Sequence, residues 1–154
     1  MDEFACTVTR LTSTDGGDGV RLTLADFPDG EGRTLTISAD DFLAMRIARG
    51  AMDADTLAAV TEAAGRYAAL RAAIRMLGAG QCSRRRLYEK LRARRITDAD
   101  ATFAVDTVYA KGYIDEDWQL RSYIRTLTAQ RQYGPRKLYA ALAAKGYRGD
   151  DIRR

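Results

Sequence analysis

The sequence predicts an α+β chain, mainly α: a small N-terminal antiparallel β-meander followed by tandem three-helix repeats, the second of them incomplete. Three observations carry that prediction. Residues 4 to 37 hold short alternating runs separated by turn-forming residues, the hydrophobic period lengthens to that of a helix from Ser38 onward, and a pattern of leucines recurs about 50 positions later in the second half.

The strand candidates are residues 4 to 11, 20 to 25 and 33 to 37, each rich in Val, Thr, Leu and Ile. Asp15-Gly16-Gly17-Asp18-Gly19 and Pro28-Asp29-Gly30-Glu31-Gly32 lie between them and tolerate turns and positive φ. The same glycines do not read as a phosphate cradle, because Asp15 and Asp18 repel phosphate and no Gly-Lys-Ser/Thr follows.

Ser38-Ala39-Asp40-Asp41 is a Ser-x-x-Asp helix start, and the pattern that follows predicts a helix as far as Gly50. Residues 55 to 78 place Leu57, Val60, Ala64, Tyr67, Leu70, Ile74 and Leu77 on one stripe, in one long helix or two broken at Gly65. Leu87, Tyr88 and Leu91 recur 51 positions later as Leu138, Tyr139 and Leu142, while Leu70, Ile74 and Leu77 recur 50 positions later as Leu120, Ile124 and Leu127. The first unit predicts helices over 66–78, 84–95 and 98–111, and the second over 115–130 and 135–145. Three regions follow: an acidic β-meander with helix at 1–65, a first repeat at 66–112 and a second at 113–154. The second repeat lacks most of its third helix, and the expected result is an apolar groove along Leu120, Ile124, Leu127, Leu138 and Leu142.

Charge divides the chain in the same place. Residues 1 to 65 hold 5 basic and 12 acidic residues, a net of −7, whereas residues 66 to 154 hold 20 and 9, a net of +11. Such a segment attracts polyanions or an acidic protein surface. Cys6 and Cys82 are far apart and the chain has no histidine, so neither a disulfide nor a metal site is expected, and no cofactor. No apolar run approaches the length of a membrane span, and Asp2 and Glu3 directly follow the start methionine, unlike a secretory signal. A cytoplasmic location is the expectation.

The strongest charge feature is Ser83 to Arg95, with seven basic residues against one acid. Arg84, Arg85 and Arg86 fall in a first helical turn, where the dipole disfavours cations by roughly 0.3 to 1 kcal/mol each. Arg136 and Lys137 repeat that arrangement after Pro135. These five, with Lys90, Arg92, Arg94 and Arg95, form the expected nucleic-acid contact surface. Tyr113, Ile114 and Trp118 lie between the repeats and are expected in the core. Asp115, Glu116 and Asp117 beside them fit capping and the helix dipole. Without histidine or a nucleophile beside a base, no catalytic constellation assembles and no enzyme or small-molecule substrate is expected.

Gly112-Tyr113-Ile114-Asp115-Glu116 resembles the "GYIDD" signature of the RecX family, and Gly134-Pro135 through Lys145-Gly146 resembles its "GP, then Leu, then KG" pattern. Ser83 followed by Leu87 and Leu91 fits the helix that precedes them. The resemblance spans about residues 66 to 148; Trp118 stands where the family usually has Phe, and Arg86 where an acid is common. It implies a modulator, usually an inhibitor, that lies in the groove of the RecA filament and contacts recombinase and DNA. It implies no catalytic residue. The residues themselves leave open a free-standing helical DNA-binding protein or a protein adaptor that uses the groove between repeats.

Overall fold

In a computed structural model the chain is described over residues 3–129 and 134–147, the side chains of residues 127–129 excepted. Two compact units divide at Ala68/Ala69. The architecture is α+β, mainly α, with the sheet confined to the N-terminal part.

The first unit contains β1 (Phe4–Thr14), β2 (Gly19–Ala25), β3 (Arg33–Ser38), a short helix α1 (Ala39–Ala44) and β4 (Gly50–Asp53). All pairings are antiparallel, in the order β3-β2-β1-β4. Between β1 and β2, Asp15, Gly16 and Gly17 all take positive φ, which explains the run of glycine there. Gly19 closes the turn, and a Cβ on it would lie 2.5 Å from the Tyr67 hydroxyl oxygen. That hydroxyl donates to Asp15 Oδ2 at 2.6 Å.

Alternation along the strands sends Cys6, Val8, Leu22, Leu24, Ile37 and Met52 into one apolar cluster with Val60 and Ala63. The helix expected to reach Gly50 stops at Ala44, and the chain turns through Arg46 at φ 53° into a fourth strand. Cys6 pairs with Met52 and Val8 with Gly50. Only Met52 of that strand is buried, so its four residues carry no alternation for a sequence pattern to register.

Helix α2 (Ala54–Ala79) runs unbroken through Gly65. Asp53 starts it by accepting from the Thr56 N–H at 2.7 Å. That bond from the backbone N–H, with help from the Thr56 side chain, holds the Asp53 carboxyl below its ordinary range.

The second unit holds the end of α2, α3 (Arg84–Ala93), α4 (Asp98–Ala110), α5 (Glu116–Ala129) and α6 (Pro135–Ala144). Leu77, Leu87, Leu91, Val105, Val108 and Ile114 centre one apolar cluster, and Leu120, Leu142 and Tyr147 centre another. Ser83 caps α3 and Thr97 caps α4, each through its side-chain oxygen, while Asp115 bonds to the Trp118 N–H and Pro135 takes the first position of α6, as the sequence indicates for those two.

The 51-residue repeat is visible in the backbone. Helices α3 and α6 have ten residues each and begin 51 positions apart. Each closes on a residue of positive φ, Arg95 at 65° and Gly146 at 97°, after which the Ile96 N–H reaches Leu91 O and the Tyr147 N–H reaches Leu142 O, both at 3.3 Å.

Leu87, Leu91 and Leu142 are fully buried, whereas Leu138 and Ile124 are half-buried. Tyr113 and Trp118 do not enter the core; they are 47% and 61% exposed. The core place at this corner belongs to Ile114, because Gly112 at φ 78° turns the chain so that Ile114 and Leu120 face inward. The Leu127 side chain and residues 148–154, where a third helix was expected to open, lie outside the described residues.

Candidate nucleic-acid interface

The interface begins at the N-terminus of α3, where the free N–H groups need acceptors. Ser83 is buried, and its hydroxyl accepts from the Arg86 N–H at 3.2 Å and donates to the Lys145 carbonyl at 3.1 Å. Glu116 accepts from the Arg84 N–H at 2.7 Å, and its carboxylate takes a two-pronged bond from the Arg84 guanidinium at 3.1 and 3.0 Å. The same guanidinium lies 4.0 Å from the centre of the Tyr109 ring. Arg84 is therefore held within the junction of α3, α4 and α5, and Glu116 offsets the dipole penalty its position carries.

A second polar set lies beside it. Gln119 is 2% exposed, and its amide donates to the Cys82 carbonyl at 3.0 Å and to Gln81 Oε1 at 3.2 Å. The Tyr147 hydroxyl donates to Gln119 Oε1 at 2.6 Å. Burial pushes the Tyr147 phenol well above its ordinary range, with Tyr123 and Glu116 adding to the shift. Burial also pushes the Cys82 thiol up, while Lys90 and Arg86 pull against it.

The other expected cations divide by environment. Arg85 and Arg86 approach one carboxylate, Glu89, at 3.3 and 3.6 Å. Arg92 donates to the Ile96 carbonyl at 3.0 Å and so fastens the end of α3. Lys90, Arg94, Arg95, Arg136 and Lys137 are exposed and make no ion pair with a described residue. The fold brings Arg84 and Glu116 together but leaves Lys90, Arg94, Arg95, Arg136 and Lys137 as open cations along α3 and its end and at the start of α6.

Sequence reasoning missed Gln119 and Tyr147, whose partners lie 28 to 38 residues away. It also missed Arg75, which lines a groove with Lys90 and Arg94. The spacing of Arg71 and Arg75, one helical turn apart on α2, was the available signal for that cation.

Among the described residues no group of His, Cys, Asp or Glu is placed to hold a metal ion, and no helix is long and apolar enough to cross a membrane.

No family model matches the chain. It is 41% identical over 78 residues to the protein named Regulatory protein RecX from one strain of Thermus thermophilus, and equally to that from a second strain of the same organism. Those alignments cover 51% of this chain and 53% of each relative, so the chain spans about half the length of the curated relatives it matches. A crystal structure of a regulatory protein RecX superposes with a TM-score of 0.76 over 96% of this chain and 71% of that one. At 17% identity that likeness establishes a shared fold.

Proposed function

We propose that this chain, a member of the RecX family, is a non-enzymatic regulator of the RecA recombinase that binds the RecA–DNA filament through its basic helical repeats and restrains it. The observation that carries the reading is the 41% identity over 78 residues to proteins named as RecX regulators. The exposed cations of α3 and α6 that pair with no described carboxylate support a polyanion contact, since like charges on one surface repel each other until phosphate neutralises them. Inhibition and a seat in the filament groove come from the family resemblance.

A filament ATPase and strand-exchange assay with the full chain added tests this reading, alongside DNA binding without recombinase. Slowed ATP turnover and slowed strand exchange are expected. Unchanged rates at saturating chain would refute the regulator.

An adaptor that works through protein contacts alone is the second reading, favoured by the exposed Tyr113, Trp118 and Tyr139. Binding to a protein partner that persists at high salt and without nucleic acid would support it over the first. A free-standing helix-turn-helix protein is disfavoured, since α4 opens with Asp98, Ala99 and Asp100 rather than with side chains suited to base edges.

A further inference from the structure

Lys90 lies on α3 and Arg94 one turn further on, at its C-cap, with Arg75 across from them on α2. Together they line a groove of about 520 Å³ whose remaining lining is Met76, Ala79 and Ala93. All three cations are exposed, and none pairs with a carboxylate among the described residues. This distinguishes them from Arg84, Arg85 and Arg86, which have acidic partners in Glu116 or Glu89.

We infer that this groove binds the phosphodiester backbone of single-stranded nucleic acid, with Arg75, Lys90 and Arg94 as its phosphate ligands. The inference rests on the proposal that the chain contacts DNA, and adds to it a site, a strand type and a residue, Arg75, outside the basic run of α3.

The donor set selects the ligand. Every polar side chain that lines the groove is a cation with hydrogens to give, and none supplies an oxygen acceptor. A peptide strand presents N–H groups as often as carbonyls and would leave its donors facing cations. A phosphodiester backbone presents acceptors only. The Met76 thioether and the two alanines suit the apolar faces of sugars and bases. A duplex keeps its base faces stacked inside and offers the groove phosphate and sugar alone, whereas a single strand can also lay its bases against Met76 and the alanines.

The test is anisotropy of a labelled single-stranded oligonucleotide of mixed sequence with the full chain and no recombinase. Substituting Arg75→Gln, Lys90→Gln and Arg94→Gln together is expected to lower affinity by about tenfold or more, and to flatten the log–log salt slope by about 2 for three phosphates. Arg75→Gln alone should give a measurable part of that loss. The double variant Arg10→Gln with Arg21→Gln, two exposed cations of β1 and β2 outside the groove, is expected to lose less than about threefold. Thermal melts of all variants should overlay that of the parent, because every substituted position is exposed.

Parental affinity and slope in the groove variant would overturn the site, as would an equal loss in the control. Polyglutamate that displaces the strand at equal charge concentration would overturn nucleic acid as the occupant. A duplex that binds more tightly and loses more on substitution would overturn the single strand. The recombinase assay separates the two readings: intact oligonucleotide binding with no effect on the filament sinks the regulator alone, and regulation that survives loss of the groove sinks the site alone.

Discussion

At position 146 backbone conformation and packing require the same residue. Gly146 has φ 97°, and a Cβ on it would sit 2.6 Å from Ser83 Oγ, the atom that caps α3 and bonds to the Lys145 carbonyl. Gly112 has a similar φ of 78° but open space around it. Gly112→Ala is therefore expected to cost roughly 1 to 2 kcal/mol for the left-handed backbone alone, and Gly146→Ala clearly more, when both are measured by urea denaturation. Equal losses would show that the Ser83 contact is readily relieved. Arg84 supplies a second case: its bonds to the Glu116 carboxylate predict that Arg84→Ala destabilises the chain by roughly 1.5 to 3 kcal/mol, while Arg85→Ala changes stability by less than about 0.5. Tyr147 gives the pH dependence. Its phenol is raised above the ordinary value of 10.0, so the stability it contributes is present below pH 10 and is lost as pH rises towards the folded value. A parent chain that weakens above pH 10 beside a Tyr147→Phe variant that weakens less is the expected pair of denaturation curves.

Among the elements, α3 and α6 differ most informatively at the residue just past the C-cap. Both helices end on a left-handed residue that lets the following N–H return to a carbonyl one turn back, and glycine suits that place because it has no Cβ to clash. In α6 the residue is Gly146, but in α3 it is Arg95 at φ 65°. Arg95→Gly is expected to raise stability by up to about 1 kcal/mol, since relief of the left-handed strain outweighs the added freedom of the unfolded chain. A loss of stability would mean that the Arg95 side chain holds a native contact. The inward face of α3 behaves as its spacing requires, and Leu87→Ala or Leu91→Ala should each cost roughly 2 to 5 kcal/mol, because both side chains are fully buried.

Across the whole molecule the dominant physical fact is the opposition of charge, −7 over residues 1 to 65 against +11 over residues 66 to 154. The acidic part lowers the potential that an approaching polyanion meets, by an amount that screening removes as salt is raised. Asp18, Asp26 and Glu31 are exposed and enter no ion pair with a described residue. Converting them to Asn, Asn and Gln is expected to tighten duplex DNA binding several-fold at low salt and to change it little at high salt. Unchanged affinity at low salt would show that the acidic residues do not reach the binding surface electrostatically.

The sequence alone determined the features that depend on near neighbours. Caps at Ser83, Thr97 and Asp115, the turn at Asp15-Gly16-Gly17, the inward leucines of α3 and the repeat that relates α3 to α6 all follow from residues a few positions apart or from a pattern that recurs along the chain. Tertiary structure decided what depends on distant partners. The strand at Gly50–Asp53 exists because β1 offers it an edge, Trp118 is exposed because Ile114 and Leu120 already fill the core beside it, and Arg84 is a junction residue because Glu116 lies 32 positions away. Helical spacing sorts residues by face, but which cation meets a carboxylate and which stays open to a ligand is a property of the packed elements. That is why a run of seven basic residues, uniform in the sequence, separates in the fold into a half-buried brace at Arg84, a pair shared with Glu89, a tie from Arg92 to the Ile96 carbonyl, a left-handed Arg95 that closes the helix, and an open groove where Lys90 and Arg94 meet Arg75.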